Sequence, residues 1–356
     1  MSKAKQLLRI LFPGFIEKVS NKLRENDRIK ECKKANVPEK VCHYHELFVR
    51  SDGSIYPCCS VWGRQDMMIG HLNDDDLKQR MVEFHSICYC ESYKLIKARN
   101  NEQQEYDIIT LELSLECQGS CAMCCARAPE WKGKYNLYDS LDLLLKTHTP
   151  KKIIFQGGEV LIQKKSMEWI SHLKAVYPYV HFLLVTNGNV NVSLAKICKD
   201  LFSEVIISFV GYHPCTYKTV MGMNVEAVKK FAESIIREGG IDVTLKYLVT
   251  PLTIHEIADF CKWAISAHPQ SIRLSNANVA AYLNFSTGDK YWEKIIDRTG
   301  NGLRQLLVDQ YDAINGGNTK IEIESSLLQL FKVNESFIRK NKLEGYVKEF
   351  KYTHIA

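Results

Sequence analysis

The chain has 356 residues, of which 46% are hydrophobic and 25% charged, so it can bury a large core and is not a disordered protein. Its net charge of +6 is mild and gives no electrostatic case for nucleic acid binding. No apolar run approaches the roughly 20 residues that span a bilayer. The N-terminus also lacks the apolar stretch and cleavage site of a signal peptide, so we expect a cytoplasmic protein.

Cysteine is unevenly distributed along the chain. There are 13 cysteines, and ten of them lie between Cys32 and Cys125. In a reducing compartment, an odd-numbered set of this kind indicates metal ligands or redox chemistry rather than a disulfide framework. The first part of the chain is therefore predicted to bind metal.

The N-terminal segment, residues 1–30, contains a basic amphipathic stretch at 4–24. The pattern is typical of a helix that packs on the body of the protein, and a weak contact with a membrane surface is the alternative. Residues 42–90 hold five cysteines among short β-like pieces around an Asp52-Gly53 turn. A polar stretch at 98–106 is predicted to link this region to the next.

From Asp107 onward, strand patterns alternate with helical patterns. This alternation predicts right-handed βαβ crossovers and a parallel sheet, either doubly wound or an incomplete barrel, with the ligand site at the carboxyl ends of the strands. Residues 286–356 are predicted to be mostly helical. The predicted strands are 108–115, 152–156, 181–187, 204–210, 242–249 and 271–276, and the predicted helices lie near 137–147, 166–177, 192–201, 224–238 and 254–267.

A cysteine motif follows directly on the first of these strands. Cys117, Cys121 and Cys124 lie at x3 and x2 spacing in one short loop, in which Gly119 and Ser120 favour a tight turn. Three thiolates suit a cubane cluster with one iron left open to a ligand, since a closed electron-transfer site normally uses four. Structural zinc with a distant fourth ligand is the alternative.

Two further loops end the next two strands. Gly157-Gly158-Glu159 follows the second strand, and Thr186-Asn187-Gly188 ends the third. Paired glycines permit close backbone approach, and loops at strand ends offer free backbone N–H and C=O groups. Each motif is weak alone, but together they predict three successive strand ends that share one ligand.

In this order and spacing, the three motifs resemble the radical S-adenosylmethionine (radical SAM) superfamily over roughly residues 107–280. The resemblance implies an α/β fold, a partial (β/α)6 TIM-like barrel of parallel strands at 107–285. A small cysteine-rich iron–sulfur module at 31–100 precedes this core, and a helical extension at 286–356 follows it. A flavodoxin- or ferredoxin-type electron donor is the implied partner.

The resemblance also implies the cofactors and their ligands. A 4Fe–4S cluster would bind to three cysteines, and the amine and carboxylate of S-adenosylmethionine would chelate its open iron. Reductive cleavage would then give methionine and a 5′-deoxyadenosyl radical that takes a hydrogen atom from the substrate. The implied cluster ligands are Cys117, Cys121 and Cys124; Gly157, Gly158 and Glu159 would line the methionine amino group, Thr186 and Asn187 would complete the loops around the cofactor, and Ser208 would contact the ribose or carboxylate.

The chain departs from the family's usual pattern in three places: at Met123, at Val160, where many relatives have proline, and at Val210, where many peptide-modifying relatives have aspartate before the glycine. The residue before the third cysteine is usually aromatic and packs near the adenine, whereas here it is Met123, whose thioether can fill that space. Cys215, in the loop after the fourth strand, could return a hydrogen atom to a substrate radical, and an ordinary loop cysteine is the alternative interpretation.

The upstream cysteines resemble the SPASM module or its shorter twitch variant, which usually follows the barrel and here precedes it. This resemblance implies a second, auxiliary 4Fe–4S cluster on Cys42, Cys58, Cys88 and Cys90. Cys59, Cys32 or one of His43 and His45 could replace an assigned ligand, and a structural zinc knuckle is the competing interpretation.

For the function as a whole, the resemblance implies a radical SAM enzyme. We expect a peptide or protein substrate that is oxidised, crosslinked or epimerised, and the alternative is dehydrogenation or epimerisation of a carbohydrate-like small molecule. A zinc-binding scaffold or regulatory protein is the alternative from a different class. It predicts a colourless protein that does not cleave S-adenosylmethionine.

Overall fold

The computed structural model describes residues 46–59, 67–83, 86–90, 95–99, 106–124, 126, 128, 136–276 and 290–350. These residues form an eleven-stranded sheet, a separate two-stranded sheet and the helices around them. In this part of the chain, none of the helices has both the length and the apolar character needed to cross a bilayer. The predicted amphipathic stretch at 4–24 lies outside the described residues.

The elements follow one another in an α/β order. The strands are β1 (Glu46–Val49), β2 (Ser54–Tyr56), β3 (Gly70–His71), β4 (Ser86–Cys90), β5 (Leu95–Arg99), β6 (Ile108–Glu112), β7 (Lys152–Gln156), β8 (His181–Thr186), β9 (Glu204–Phe209), β10 (Asp242–Val249), β11 (Ser271–Asn276), β12 (Lys320–Glu324) and β13 (Val347–Phe350). The helices are α1 (Leu77–Glu83), α2 (Tyr138–Thr147), α3 (Lys164–Val176), α4 (Leu194–Leu201), α5 (Pro214–Met221), α6 (Val225–Glu238), α7 (Ile257–Ala267), α8 (Lys290–Asp309), α9 (Tyr311–Gly317), α10 (Ser325–Leu330) and α11 (Glu335–Lys340).

The large sheet has the order β13-β12-β11-β10-β9-β8-β7-β6-β1-β2-β3. Strands β6 to β13 run parallel to one another, β1 pairs parallel with β6, and β2 and β3 are antiparallel. The sheet is not closed, as in a partial barrel, so the predicted α/β fold of parallel strands is confirmed. All six predicted strands of the core are present.

The two faces of this sheet differ in chemistry because side chains alternate along a strand. Apolar residues such as Ile153, Phe182 and Leu245 join the helices in the main core. The opposite face, here called the inner face, carries a small apolar cluster and then polar side chains nearer the carboxyl ends. One inner-face row runs in register across four strands, through Ser208, Lys246, Arg273 and Glu322.

The C-terminal region departs from the sequence prediction. Besides helices α8 to α11 it supplies β12 and β13, two parallel strands that extend the sheet beyond β11. At the other edge, β1 to β3 continue the same sheet from β6. Elements on both sides of residues 107–285 therefore join the sheet that presents the candidate site.

Candidate functional site

The three motif cysteines lie in one loop that follows β6, at the carboxyl edge of the sheet. Cys117, Cys121 and Cys124 are all half-buried. The Cys124 backbone N–H donates to the Cys121 carbonyl at 3.0 Å, which closes a tight turn between the last two. A single short loop thus carries three thiols beside the neighbouring strand ends.

This cysteine loop is bound to the end of α5. The Ser120 N–H donates to the Met221 carbonyl at 2.9 Å, and the Ala122 N–H donates to the Val220 carbonyl at 2.8 Å. Gly222 ends the helix at φ +70°, and a Cβ there would overlap the Ser120 hydroxyl. A glycine is therefore required where helix and loop meet.

Hydrogen bonds to sulfur distinguish the three thiols. Cys117 Sγ accepts from the Gly119 N–H at 3.3 Å, and Cys124 Sγ accepts from the Ala128 N–H at 3.4 Å. Burial raises the pKa of Cys117 and, with the charges of Cys124 and Cys117, raises the pKa of Cys121 to about 12. Without a metal these two thiols stay protonated at neutral pH, and a bound metal would replace the protons.

Asn187, at the end of β8, reaches the cysteine loop directly. Its Nδ2 donates to Cys117 Sγ at 3.7 Å and to Gln118 Oε1 at 3.5 Å. Gln118 Nε2 donates in return to Asn187 Oδ1 at 3.3 Å and to the Asn189 carbonyl at 2.9 Å. The first and third predicted loops are thereby joined at a sulfur.

Glu159 joins the second loop to the other two. Its carboxylate is fully buried and accepts from Thr186 Oγ1 and from the Asn187 N–H, both at 2.7 Å, and from the Leu161 N–H at 3.2 Å. Its own N–H donates to the Glu116 carbonyl at 2.8 Å. Burial raises the pKa of Glu159, and these hydrogen bonds oppose the rise. Both carboxylate oxygens thus have partners within the protein.

The paired glycines permit close packing of the chain on itself. Gly157 and Gly158 have φ of +92° and +53°. A Cβ on Gly157 would overlap the Glu112 side chain, and one on Gly158 would overlap the Glu116 carbonyl. The loop after β7 is therefore pressed against the chain that leads into the cysteine loop.

The donor chemistry of this loop fits an iron–sulfur cluster. Cysteine thiolates are the usual ligands of such clusters, and N–H groups directed at the sulfurs help to set the cluster potential. Among the described residues, no three His, Cys, Asp or Glu side chains come together as ligands of a single metal ion. The fit therefore depends on three thiols in one loop and on the N–H groups that reach two of them.

Two curated proteins are similar to the chain over part of its length. Both are named probable GTP 3′,8-cyclase: one from Methanococcus vannielii is 28% identical over 163 residues, and one from Methanococcus maripaludis is 27% identical over 161. The matches cover 43% of this chain and 54% of each relative, so the chain spans about half of their length. No family model matches.

The curated relatives belong to the radical SAM family. The chain is therefore similar to radical SAM proteins over part of its length. The resemblance predicted from the cysteine motif is thereby confirmed, whereas the auxiliary SPASM-type module stays a prediction.

Solved structures of radical SAM enzymes are also similar to the chain. SuiB of Streptococcus suis bound to its precursor peptide SuiA has a TM-score of 0.48 and 15% identity, covering 68% of this chain and 57% of its own. The protein anSMEcpe with bound AdoMet has a TM-score of 0.47 and 20% identity, covering 60% of this chain and 63% of its own.

The remaining predicted residues of the radical SAM core lie at different depths. Met123 is buried within the main core, and Ser208 is half-buried on the inner face beside Lys246. Cys215 is exposed in the first turn of α5, where its carbonyl accepts from Thr219 Oγ1. The structure thus gathers the loop residues after β6, β7 and β8 but leaves Cys215 at the surface.

The upstream cysteines lie in separate surroundings. Cys58 is buried in a small apolar cluster with Phe48, Tyr56 and Met67. Burial raises the pKa of the neighbouring Cys59, and the charge of Glu46 adds to the rise. Cys88 and Cys90 lie on β4 in the two-stranded sheet, and Cys42, Cys32, His43 and His45 lie outside the described residues. The auxiliary ligand set remains a prediction.

Two features of the site were not predicted from the sequence. The first is α5, which holds the cysteine loop through the carbonyls of Val220 and Met221. The second is a group of buried polar side chains on the inner face. Thr110 Oγ1 donates to Glu46 Oε1 at 2.9 Å, and the positive charge of Lys246 partly opposes the rise in the pKa of Cys59. Gly222 was the available signal for the first, whereas the second depends on strands distant in sequence.

Proposed function

We propose that the chain is a radical SAM enzyme that holds a 4Fe–4S cluster on Cys117, Cys121 and Cys124 and binds S-adenosylmethionine beside it. One observation carries the proposal. Glu159 and Asn187 join the loops after β6, β7 and β8 through buried hydrogen bonds, one of which ends on a cysteine sulfur. Three loops joined in this way can serve one ligand at the carboxyl edge of a parallel sheet.

A cluster held by Cys117, Cys121 and Cys124 would supply one electron for the reductive cleavage of S-adenosylmethionine, and that cleavage would provide the means to abstract a hydrogen atom from the substrate. The chain's own residues bind and orient. Gly119 and Asn187 direct N–H groups at Cys117, and Ala128 directs one at Cys124, which offsets thiolate charge. Glu159 fixes the backbone of Asn187 and so keeps its amide beside the sulfur.

The substrate is proposed to lie against the inner face. The row of Ser208, Lys246, Arg273 and Glu322 offers hydrogen-bond donors and acceptors, and Arg273 is held by Glu322 at 2.7 Å. Such a lining suits the polar backbone of a peptide or protein, which we propose is oxidised, crosslinked or epimerised. A carbohydrate-like small molecule is the alternative substrate. A flavodoxin- or ferredoxin-type protein is the proposed electron donor.

The proposal is tested by anaerobic reconstitution of the chain with iron and sulfide, followed by S-adenosylmethionine and dithionite. We expect formation of 5′-deoxyadenosine. The variant in which Cys117, Cys121 and Cys124 are all alanine should form none, while the exposed-site control Cys215→Ala should form the wild-type amount. A wild-type chain that takes up zinc but no iron, or a triple variant that still forms 5′-deoxyadenosine, would overturn the proposal.

A further inference from the structure

Tyr217, on α5, has a buried hydroxyl that the mechanism above does not use. The residue is fully buried, and within the described chain its Oη has no hydrogen-bond partner. Buried hydroxyls are nearly always paired, because an unpaired one loses its hydrogen bonds to water and gains nothing in return. The Tyr217 hydroxyl is therefore free to donate to an acceptor that forms close to it.

Helix α5 brings Tyr217 close to the cysteine loop. The residue lies one turn before Val220 and Met221, whose carbonyls bind the cysteine loop. Burial raises the pKa of Tyr217, and the next causes are the charges of Cys121 and Glu159, so the phenol lies within electrostatic range of the loop. Its ring packs edge-on near Phe209, with ring centroids 6.2 Å apart, which limits its movement.

Cys121 is the motif cysteine with the greatest need for another donor. Cys117 and Cys124 each accept an N–H from another residue, whereas the Cys121 thiol is directed at the Met221 carbonyl, 4.0 Å from the sulfur. On losing its proton to iron, Cys121 can no longer donate and becomes an acceptor. A buried thiolate then favours any O–H donor within reach.

We propose that Tyr217 is a positioning residue that donates its phenolic hydrogen to the Cys121 sulfur once the cluster is bound. The proposal rests on the proposed function, because it requires a cluster on the cysteine loop. Hydrogen bonds to cluster sulfurs stabilise the more negative, reduced form and so raise the reduction potential. The otherwise unpaired hydroxyl would thus be satisfied in the loaded protein and would make its cluster easier to reduce.

The test compares Tyr217→Phe with Tyr247→Phe in the full chain. Tyr247 is also fully buried, but its hydroxyl donates to the Thr253 carbonyl at 2.7 Å. The metal-free Tyr217→Phe chain should melt at the wild-type temperature or above, because no hydrogen bond is lost, and Tyr247→Phe should melt lower. Iron content and the midpoint potential of the reconstituted cluster are then measured by redox titration with electron paramagnetic resonance (EPR).

We expect Tyr217→Phe to bind wild-type iron and to shift the potential to a more negative value, by up to a tenfold change in the reduced-to-oxidised ratio, or 59 mV for a one-electron couple. Tyr247→Phe should leave the potential unchanged. An unchanged potential in Tyr217→Phe, or an equal shift in both variants, would overturn the proposal for Tyr217 alone. A wild-type chain that assembles no cluster would overturn it together with the proposed function.

Discussion

The two cysteine-rich regions of the chain differ in the groups that lie beside their buried thiols. In the core loop, Cys117 and Cys124 accept N–H groups, and at Cys117 these bonds oppose the effect of burial, which disfavours a thiolate. In the N-terminal region, Cys58 lies in an apolar cluster and Cys59 lies beside the carboxylate of Glu46, which disfavours one. The core loop thus offers N–H donors to two of its sulfurs, whereas a Cys59 thiolate would lie beside the Glu46 carboxylate.

Cysteine replacement gives the largest expected effect and separates the two regions. With both proposed clusters assembled, the wild type should hold about eight iron atoms, four per cluster. Cys121→Ala should lose the core cluster and all 5′-deoxyadenosine formation, and Cys58→Ala should lose only the auxiliary iron. Iron analysis after anaerobic reconstitution measures both. Equal losses in the two variants would contradict a separate role for each region.

Replacing a glycine with alanine should destabilise the protein more beside the core cysteine loop than in the N-terminal region. Gly158 and Gly53 both have positive φ, but a Cβ on Gly158 would overlap the Glu116 backbone, whereas one on Gly53 would meet the His71 ring, which can move. We expect Gly158→Ala to lower the unfolding free energy by about 3 kcal/mol or more and Gly53→Ala by about 1–2 kcal/mol. Urea denaturation measures both changes.

Gly239→Ala gives the baseline, because that residue also has positive φ but has nothing within 4 Å of the added Cβ. We expect Gly239→Ala to lower the unfolding free energy by about 1–2 kcal/mol, because only the positive φ is unfavourable for alanine there. A cost for Gly158→Ala no larger than this baseline would contradict close packing of the loop after β7.

The two buried carboxylates should also respond differently to loss of charge. Both oxygens of Glu159 accept hydrogen bonds. In Glu159→Gln an NH2 group would face a backbone or hydroxyl donor instead, so we expect the unfolding free energy to fall by about 1–3 kcal/mol. Glu46→Gln keeps an oxygen that can accept from Thr110, so it should lower the unfolding free energy by less than Glu159→Gln does. It should also speed alkylation of Cys59 by lowering its pKa. Denaturation and timed alkylation with mass spectrometry provide the measurements, and the reverse order of costs would be inconsistent with this comparison.

The metal-free chain should lose stability at high pH. The folded protein raises the pKa of Cys121 to about 12, above the ordinary thiol value of about 8.5. The unfolded chain therefore releases this proton first, so the contribution is complete below about pH 8.5 and is lost as pH rises toward 12. Each such thiol adds a slope of at most about 1.4 kcal/mol per pH unit.

Cys121→Ser, which does not titrate in this range, should flatten the dependence of unfolding free energy on pH between about 9 and 12. Cys261→Ser provides a control for a helix cysteine, because burial raises its pKa to about 12 as well, far from the cysteine loop. If neither replacement changes the slope, burial of these thiols does not hold their protons.

The sequence was informative where structure follows from local pattern. The apolar run Ile153–Phe155 and its five counterparts predicted the core strands, because a strand of a parallel sheet covered by helices is rich in apolar residues. The β12 residues Lys320–Glu324 alternate apolar and charged side chains within a polar, helix-rich region, and this strand was missed. Helix α5 was missed because eight residues beginning at Pro214 give little periodicity.

The candidate site was predictable at the level of motifs and not of contacts. The spacing of Cys117, Cys121 and Cys124 identified the loop, yet nothing local showed that Glu159 would hold Thr186 and Asn187 or that α5 would bind the loop. Those contacts join residues separated by dozens of positions, and only the sheet order brings them together. The exposed position of Cys215 likewise depends on where α5 begins.

The most direct test of the central claim is the EPR spectrum of the reduced cluster with and without S-adenosylmethionine, in a Cys58→Ala chain that keeps only the core cysteine loop intact. The account predicts about four iron atoms per chain and a spectrum that changes when S-adenosylmethionine is added, because one iron lacks a protein ligand. A chain without iron, or a cluster whose spectrum does not change on this addition, would contradict it.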